Sequence, residues 1–158
     1  MNEVYLGGPI TGHTYRTAQS WRRDPSFRRE LALAGWVALS PLDQHDPPSD
    51  WDIPLDAFFE EQIGESVASV VSGDLRMIRQ SQAVMFNFLG YDRASIGSAA
   101  ELGYAKALDK PIVSVVRPDD IHYHPFVTEL SDFVVSESAD VPLILAGIAQ
   151  ARRSVPYA

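Results

Sequence analysis

The 158-residue chain has 13 Lys and Arg against 21 Asp and Glu, a formal net charge of −8, 46% hydrophobic and 22% charged residues, and no cysteine. This suits a folded domain that buries a core unaided and excludes a disulfide scaffold, a thiolate metal site and a cysteine nucleophile. The acidic balance argues against a nucleic-acid polymer as partner, because backbone phosphates need a concentrated basic surface; a small neutral ligand suits it better. With no bilayer-length apolar run and no basic leader at Met1-Asn2-Glu3-Val4, one domain over residues 1–158 in the cytoplasm is expected.

Val4-Tyr5-Leu6 reads as a short strand running into Gly7-Gly8-Pro9-Ile10-Thr11-Gly12, a flexible turn before a helix expected over 17–34, with Gly35 as its stop. Arg16, Arg22, Arg23, Arg28 and Arg29 read as the solvated face of that helix. Trp36-Val37-Ala38-Leu39 is a second strand ending at Ser40-Pro41. Residues 43–54, rich in Pro and Asp around Trp51, form a loop suited to a lid. A helix over 55–71, a break at Ser72-Gly73 and a restart at Asp74 follow.

The remaining strands are expected at 83–88, 111–116 and 133–135, with helices at 98–108 and 141–153. Strands alternating with helices imply an α/β three-layer sandwich, flavodoxin-like or Rossmann-like, around a five-stranded, mainly parallel sheet. Such sheets bind ligands at the carboxyl edge of their strands. There the Gly7 to Gly12 loop, Asp43-Gln44, Asp74 and Glu101 become neighbours.

Ser98 and Glu101 stand three apart at the expected start of a helix, which taken alone is a capping box. Asp74, taken alone, is a helix N-cap. Facing one cleft, the two carboxylates acquire a chemical use when their environments separate their protonation states. Glu101 on a first helical turn is expected to stay anionic through the helix dipole, as a nucleophile, and Asp74 beside it to hold a proton, as an acid.

The segments Val4-Tyr5-Leu6-Gly7-Gly8-Pro9-Ile10, Pro41-Leu42-Asp43-Gln44, Asp74-Leu75-Arg76-Met77-Ile78, Gly97-Ser98-Ala99-Ala100-Glu101-Leu102-Gly103-Tyr104-Ala105 and Lys110-Pro111-Ile112 occur in an informative order. With them the chain resembles the nucleoside 2-deoxyribosyltransferase family, which also contains nucleoside 5'-monophosphate N-glycosidases. The resemblance implies base exchange on a 2'-deoxynucleoside through a covalent glycosyl-enzyme on Glu101, with Asp74 as acid and base and Tyr5 positioning the nucleophile or the sugar. It implies no cofactor and no metal. Gln44 falls one place from the family's base-recognising glutamine. His124 falls where the family reaches into a neighbouring subunit's site, which implies a homo-oligomer; His122 and His124 otherwise read as an exposed loop rather than a metal pair.

Ser95 stands where the transferases carry an aspartate for the sugar 5'-hydroxyl, as in the monophosphate hydrolases, and serine, unlike aspartate, donates to a phosphate. The first loop lacks the hydrolases' phosphate-binding arginine, and Asp92 is a substitute for the missing carboxylate. This favours the transferase over the hydrolase. A non-catalytic nucleotide-binding module ranks lower, since the glycine-rich loop matches neither a Walker motif nor a dinucleotide fingerprint. Gly7 and Gly8 leave room for a ribose as well as a deoxyribose, and Trp51 or Phe58 is expected to grip the base. Tyr157, followed by Ala158, is the place of the family's terminal aromatic residue, or else a loose tail.

Overall fold

A computed structural model describes residues 1–63 and 66–154; Tyr157 and Ala158 lie outside the described residues. The strands β1 (Asn2–Gly7), β2 (Trp36–Leu39), β3 (Ala83–Asn87), β4 (Ile112–Val115) and β5 (Phe133–Val135) form one sheet in the order β2-β1-β3-β4-β5. All four pairings are parallel, so the sheet is wholly rather than mainly parallel. This is the flavodoxin-like order, whose switch point lies between β1 and β3.

Residues along β1 alternate between the two faces of the sheet, and that alternation builds the layers. Val4 and Leu6 join Leu31, Trp36, Met85, Val113 and Leu145 on one side, under helices α2 (Pro25–Leu33) and α7 (Val141–Ser154). Tyr5 joins Ile78, Val84, Phe86, Leu102 and Ile112 on the other, under α4 (Val67–Gln80) and α5 (Ile96–Ala107). Asp74 and Glu101 belong to these last two helices, so Tyr5 enters the layer that carries both carboxylates.

Several helical boundaries differ from expectation. The helix expected over 17–34 is two, α1 (Tyr15–Ser20) and α2, because Asp24 caps the second by accepting from the Phe27 amide at 2.7 Å and Pro25 takes its first position. Gly35 does follow the stop, with φ 86°, and its amide donates to the Ala32 carbonyl at 3.0 Å. In place of the helix at 55–71, α3 (Leu55–Ala57) continues as a π-helical stretch (Phe58–Ile63). The break expected at Ser72-Gly73 is absent: α4 starts after its cap Ser66 and passes through both residues.

The arginine face is also revised. Arg22 is fully buried, and Arg23 and Arg28 bind Asp43 at 3.0 and 2.6 Å, fastening the 3₁₀ turn Pro41–Gln44 to the α1–α2 corner. The loop over 43–54 is pinned to α1: the Tyr15 and Arg16 amides donate to the Ile53 and Trp51 carbonyls at 3.0 and 2.8 Å, and Trp51 meets Tyr15 edge to face. Trp51, Phe58, Tyr15, Leu42 and Leu55 form a small core of their own.

Candidate active site

A cavity of about 370 Å³ opens at the carboxyl end of β1, beside the switch point. Tyr5, Gly8, Asp74, Ser95, Ser98 and Glu101 all line it, from β1, α4 and α5, along with Asp56, Phe59 and Glu60 from the segment after β2.

Two glycines let the first loop pass this close. A Cβ on Gly7 would stand 2.4 Å from the Phe86 ring, so a side chain there would displace the core beneath β3. Gly8 has φ 147° and its Cβ would lie 2.5 Å from the Asn87 carbonyl oxygen, a conformation and a closeness that admit glycine alone. Gly8 borders the cavity; Gly7 supports it from below.

The start of α5 sets the position of Glu101. Ser95, not Ser98, is the N-cap: its hydroxyl oxygen accepts from the Ser98 amide at 3.2 Å. The Ser95 amide donates to Nε2 of His122 at 3.0 Å, and the other ring nitrogen, 3.0 Å from Asp120, donates to that carboxylate. His122 is buried and stacked on Phe88, so the loop after β4 braces the beginning of α5. The capping box is therefore overturned, because the helix begins two residues earlier than expected. Glu101 sits on the second turn with its side chain unused by capping and facing the cavity.

The Tyr5 hydroxyl donates to Glu101 Oε2 at 3.2 Å. Burial, then the charges of Glu101 and Asp74, hold Tyr5 well above the ordinary phenol value, so it remains a proton donor. For Glu101 the expected direction is reversed. Burial first, and then the Asp74 charge, push its carboxyl from 4.5 up to about 8, against the Tyr5 hydrogen bond and the Arg22 charge, which act downward. The helix dipole does not keep it anionic because its field weakens beyond the first turn. Both upward influences favour the protonated form of Glu101.

Asp74 is buried within α4, whose N-cap is Ser66, so the alternative reading of Asp74 as a helix cap does not hold. Gln44 lines an adjoining recess of about 130 Å³ with Asp74, Phe59 and Arg76; its amide faces Gly73, and Arg76 approaches its Oε1 at 3.5 Å. Asp92 is exposed and borders a neighbouring recess with Ser95, Thr11 and Arg93. His124 is exposed at the N-cap of the short helix α6 (Pro125–Thr128), where its Nδ1 accepts from the Phe126 amide at 3.2 Å, and it lines none of these recesses. Trp51 and Phe58 are committed to the small core, and of the aromatic residues in that segment Phe59 reaches the cavity. Among the described residues no three His, Asp or Glu side chains converge to hold a metal.

Sequence reasoning missed Arg22, His122 and Ser98. For Arg22 a signal existed: Tyr15, Ala18 and Arg22 recur at helical spacing and all three are buried. His122 carried no such signal, because its partner Ser95 is 27 residues away.

Two carboxylates from separate helices, one hydrogen-bonded to a tyrosine at the carboxyl edge of a parallel sheet, define a class of α/β protein equipped for acid–base and nucleophilic work on a small ligand. The family model described as nucleoside 2-deoxyribosyltransferase matches residues 4–142. The chain belongs to the nucleoside 2-deoxyribosyltransferase family, a catalytic family acting on nucleosides and nucleobases.

Solved structures agree on the fold. A 2-deoxyribosyltransferase from Bacillus psychrosaccharolyticus superposes with a TM-score of 0.58 at 20% identity, covering 89% of this chain and 90% of that one. A 2-desoxiribosyltransferase from Leishmania mexicana gives 0.60 at 17% identity, covering 92% and 97%. The CMP N-glycosidase BcmB of Clostridium botulinum gives 0.54 at 14% identity, covering 92% and 98%. At these identities the likeness is one of fold. Among curated proteins none matches the chain by sequence. Among the described residues no helix is long and apolar enough to cross a membrane.

Proposed function

We propose that the protein is a nucleoside 2'-deoxyribosyltransferase that exchanges the base of a 2'-deoxynucleoside, with ribonucleosides also accepted, through a covalent glycosyl-enzyme on Glu101. The observation carrying this reading is the Tyr5 hydroxyl on Glu101 Oε2 at 3.2 Å, in the cavity that Asp74 also lines. The Glu101 carboxylate attacks C1' as the C1'–N bond breaks and its electron pair leaves with the base. The Asp74 carboxyl protonates the departing nitrogen. In the second half an acceptor base attacks C1', gives its N–H proton to Asp74 and releases Glu101 as carboxylate. Two inversions give net retention.

This chemistry needs a proton on Asp74 and the charge on Glu101, although burial and the Asp74 charge push the Glu101 carboxyl upward. Tyr5 donates to the anionic oxygen and thereby favours the reactive arrangement. The half-reactions use protein side chains throughout, with no cofactor or metal. Gly8 and Ser95 border the sugar, Gln44 and Phe59 the base, and Gly7 holds the floor. His124, from its exposed loop, reaches a neighbouring subunit's site in a cytoplasmic homo-oligomer, and Asp92 lies at the outer edge of the sugar end.

One observation favours the hydrolase reading as second. The Ser95 and Ser98 hydroxyls stand 3.0 Å apart at the start of α5, an arrangement able to donate to a 5'-phosphate. The test incubates deoxyinosine with adenine. Deoxyadenosine and hypoxanthine are expected, and Glu101→Ala abolishes both. Release of base from the 5'-monophosphate without acceptor, and no exchange with the nucleoside, would replace this reading with the hydrolase.

A further inference from the structure

Arg22 occupies the turn between α1 and α2, fully buried, with its guanidinium stacked on the Trp21 ring at 4.4 Å. Its fork ends on main-chain carbonyls: Nε donates to Leu6 at 3.2 Å, Nη2 to Gly8 at 3.1 Å, and Nη1 to Ala18. Burying a cation is costly, and packed apolar residues often serve stability as well or better. The geometry therefore needs a reason beyond stability. The Leu6 and Gly8 carbonyls flank Gly7, where the Phe86 ring leaves no room for a Cβ, and Gly8 forms part of the cavity wall. One residue upstream of Leu6 is Tyr5, which holds Glu101.

We propose that Arg22 is a positioning residue of this site: its fork locks the end of β1 that carries Tyr5 and Gly8, and its buried positive charge offsets the negative charge of the Glu101 and Asp74 pair. This rests on the reading of Glu101 as nucleophile. The groups acting on Glu101 are Tyr5 from β1, Asp74 from α4 and Arg22 from the α1–α2 turn, and Asp56 and Glu60 line the same cavity. Four of these five are acidic or phenolic, and Arg22 is the cation among them. Arg22 in turn faces Tyr5, Tyr91 and Glu101. Without that charge the nucleophile faces acidic groups and a phenol, and the ionised form that attacks C1' is disfavoured.

The experiment follows the Glu101 side-chain carbon by 13C NMR from pH 5 to 10 in the wild type, Arg22→Met and Arg22→Lys, with base exchange measured alongside. Arg22→Met should raise the Glu101 midpoint by about one pH unit and lower exchange about 100-fold. Arg22→Lys keeps the charge and loses the fork, so the midpoint should hold within about 0.3 pH units while kcat falls about tenfold. An unchanged midpoint in folded Arg22→Met overturns the proposal, because a residue with a merely structural role would leave it in place. A further readout needs no Arg22 variant. The Arg22 Nε–H resonance of the wild type should titrate with Glu101 and cease to do so in Glu101→Gln; a resonance flat in the wild type also overturns it. These titrations are read in the resting enzyme, so absence of base exchange would count against the proposed activity and leave the Arg22 coupling separately measured.

Discussion

Replacing Glu101 by Gln should make the protein more stable in alkaline solution, while removing the proposed nucleophile. The carboxyl lies at about 8 in the native state against an ordinary 4.5, so the folded protein binds the proton more tightly than the unfolded chain. Below 4.5 both states are protonated and the group contributes nothing to the pH dependence. Between 4.5 and about 8 the unfolded chain ionises freely and the native state does not, so wild-type stability falls as pH rises. Above about 8 the loss is complete. At about 1.4 kcal/mol per pH unit, that span sets an upper bound of about 5 kcal/mol. Glu101 is partly exposed to the cavity, and solvent screening reduces the expected loss to about 2–4 kcal/mol. Glutamine keeps an oxygen for the Tyr5 hydroxyl and never ionises. Urea unfolding of both proteins from pH 5 to 9 should show them within about 1 kcal/mol at the acid end. The variant should lead by about 2–4 kcal/mol at the alkaline end. A gap that stays constant with pH, or a wild type more stable at pH 9, would refute the reasoning about this carboxyl.

Exchange itself should depend on the pair's proton: kcat/KM is expected to fall above about pH 8, where Glu101 gives up the proton that Asp74 must carry to the leaving base. Tyr5→Phe removes a hydrogen bond that favours the anion, so this limb should move upward and kcat drop about tenfold, read from pH–rate profiles. Asp74→Asn should lower kcat by about 10²–10⁴ with KM little changed, and a variant that loses only donor affinity would remove Asp74 from the proton-transfer role. Gly7→Ala drives a methyl to 2.4 Å from the Phe86 ring and should cost about 1–3 kcal/mol in denaturant unfolding, with unchanged stability speaking against this packing.

What lay open in the amino-acid order was the architecture. Apolar runs such as Ala83-Val84-Met85-Phe86, separated by helical stretches, leave few arrangements besides a parallel sheet covered on both faces, and that sheet is present. The rule that ligands bind beyond the carboxyl ends of the strands points from sequence to the Gly7 to Gly12 loop, Asp43-Gln44, Asp74 and Glu101 at one edge. Gly8, Asp74 and Glu101 do line one cavity with Gln44 in the adjoining recess, whereas Tyr5 and Ser95 were legible only through the family resemblance. Local capping was harder. Ser95 and Ser98 both satisfy the chemistry of an N-cap, and the choice fell to His122, which arrives from the loop after β4 to take the Ser95 amide. The protonation of Glu101 was beyond local reasoning for the same cause: helix position argued for an anion, whereas burial and the Asp74 charge, both products of packing, outweigh it. Arg22 belongs with these. Its composition is that of a surface helix, and only the folded chain places the Leu6, Gly8 and Ala18 carbonyls around it. Periodicity and turn chemistry are properties of neighbours in the chain, while desolvation and long-range charge arise only when distant segments exclude water together.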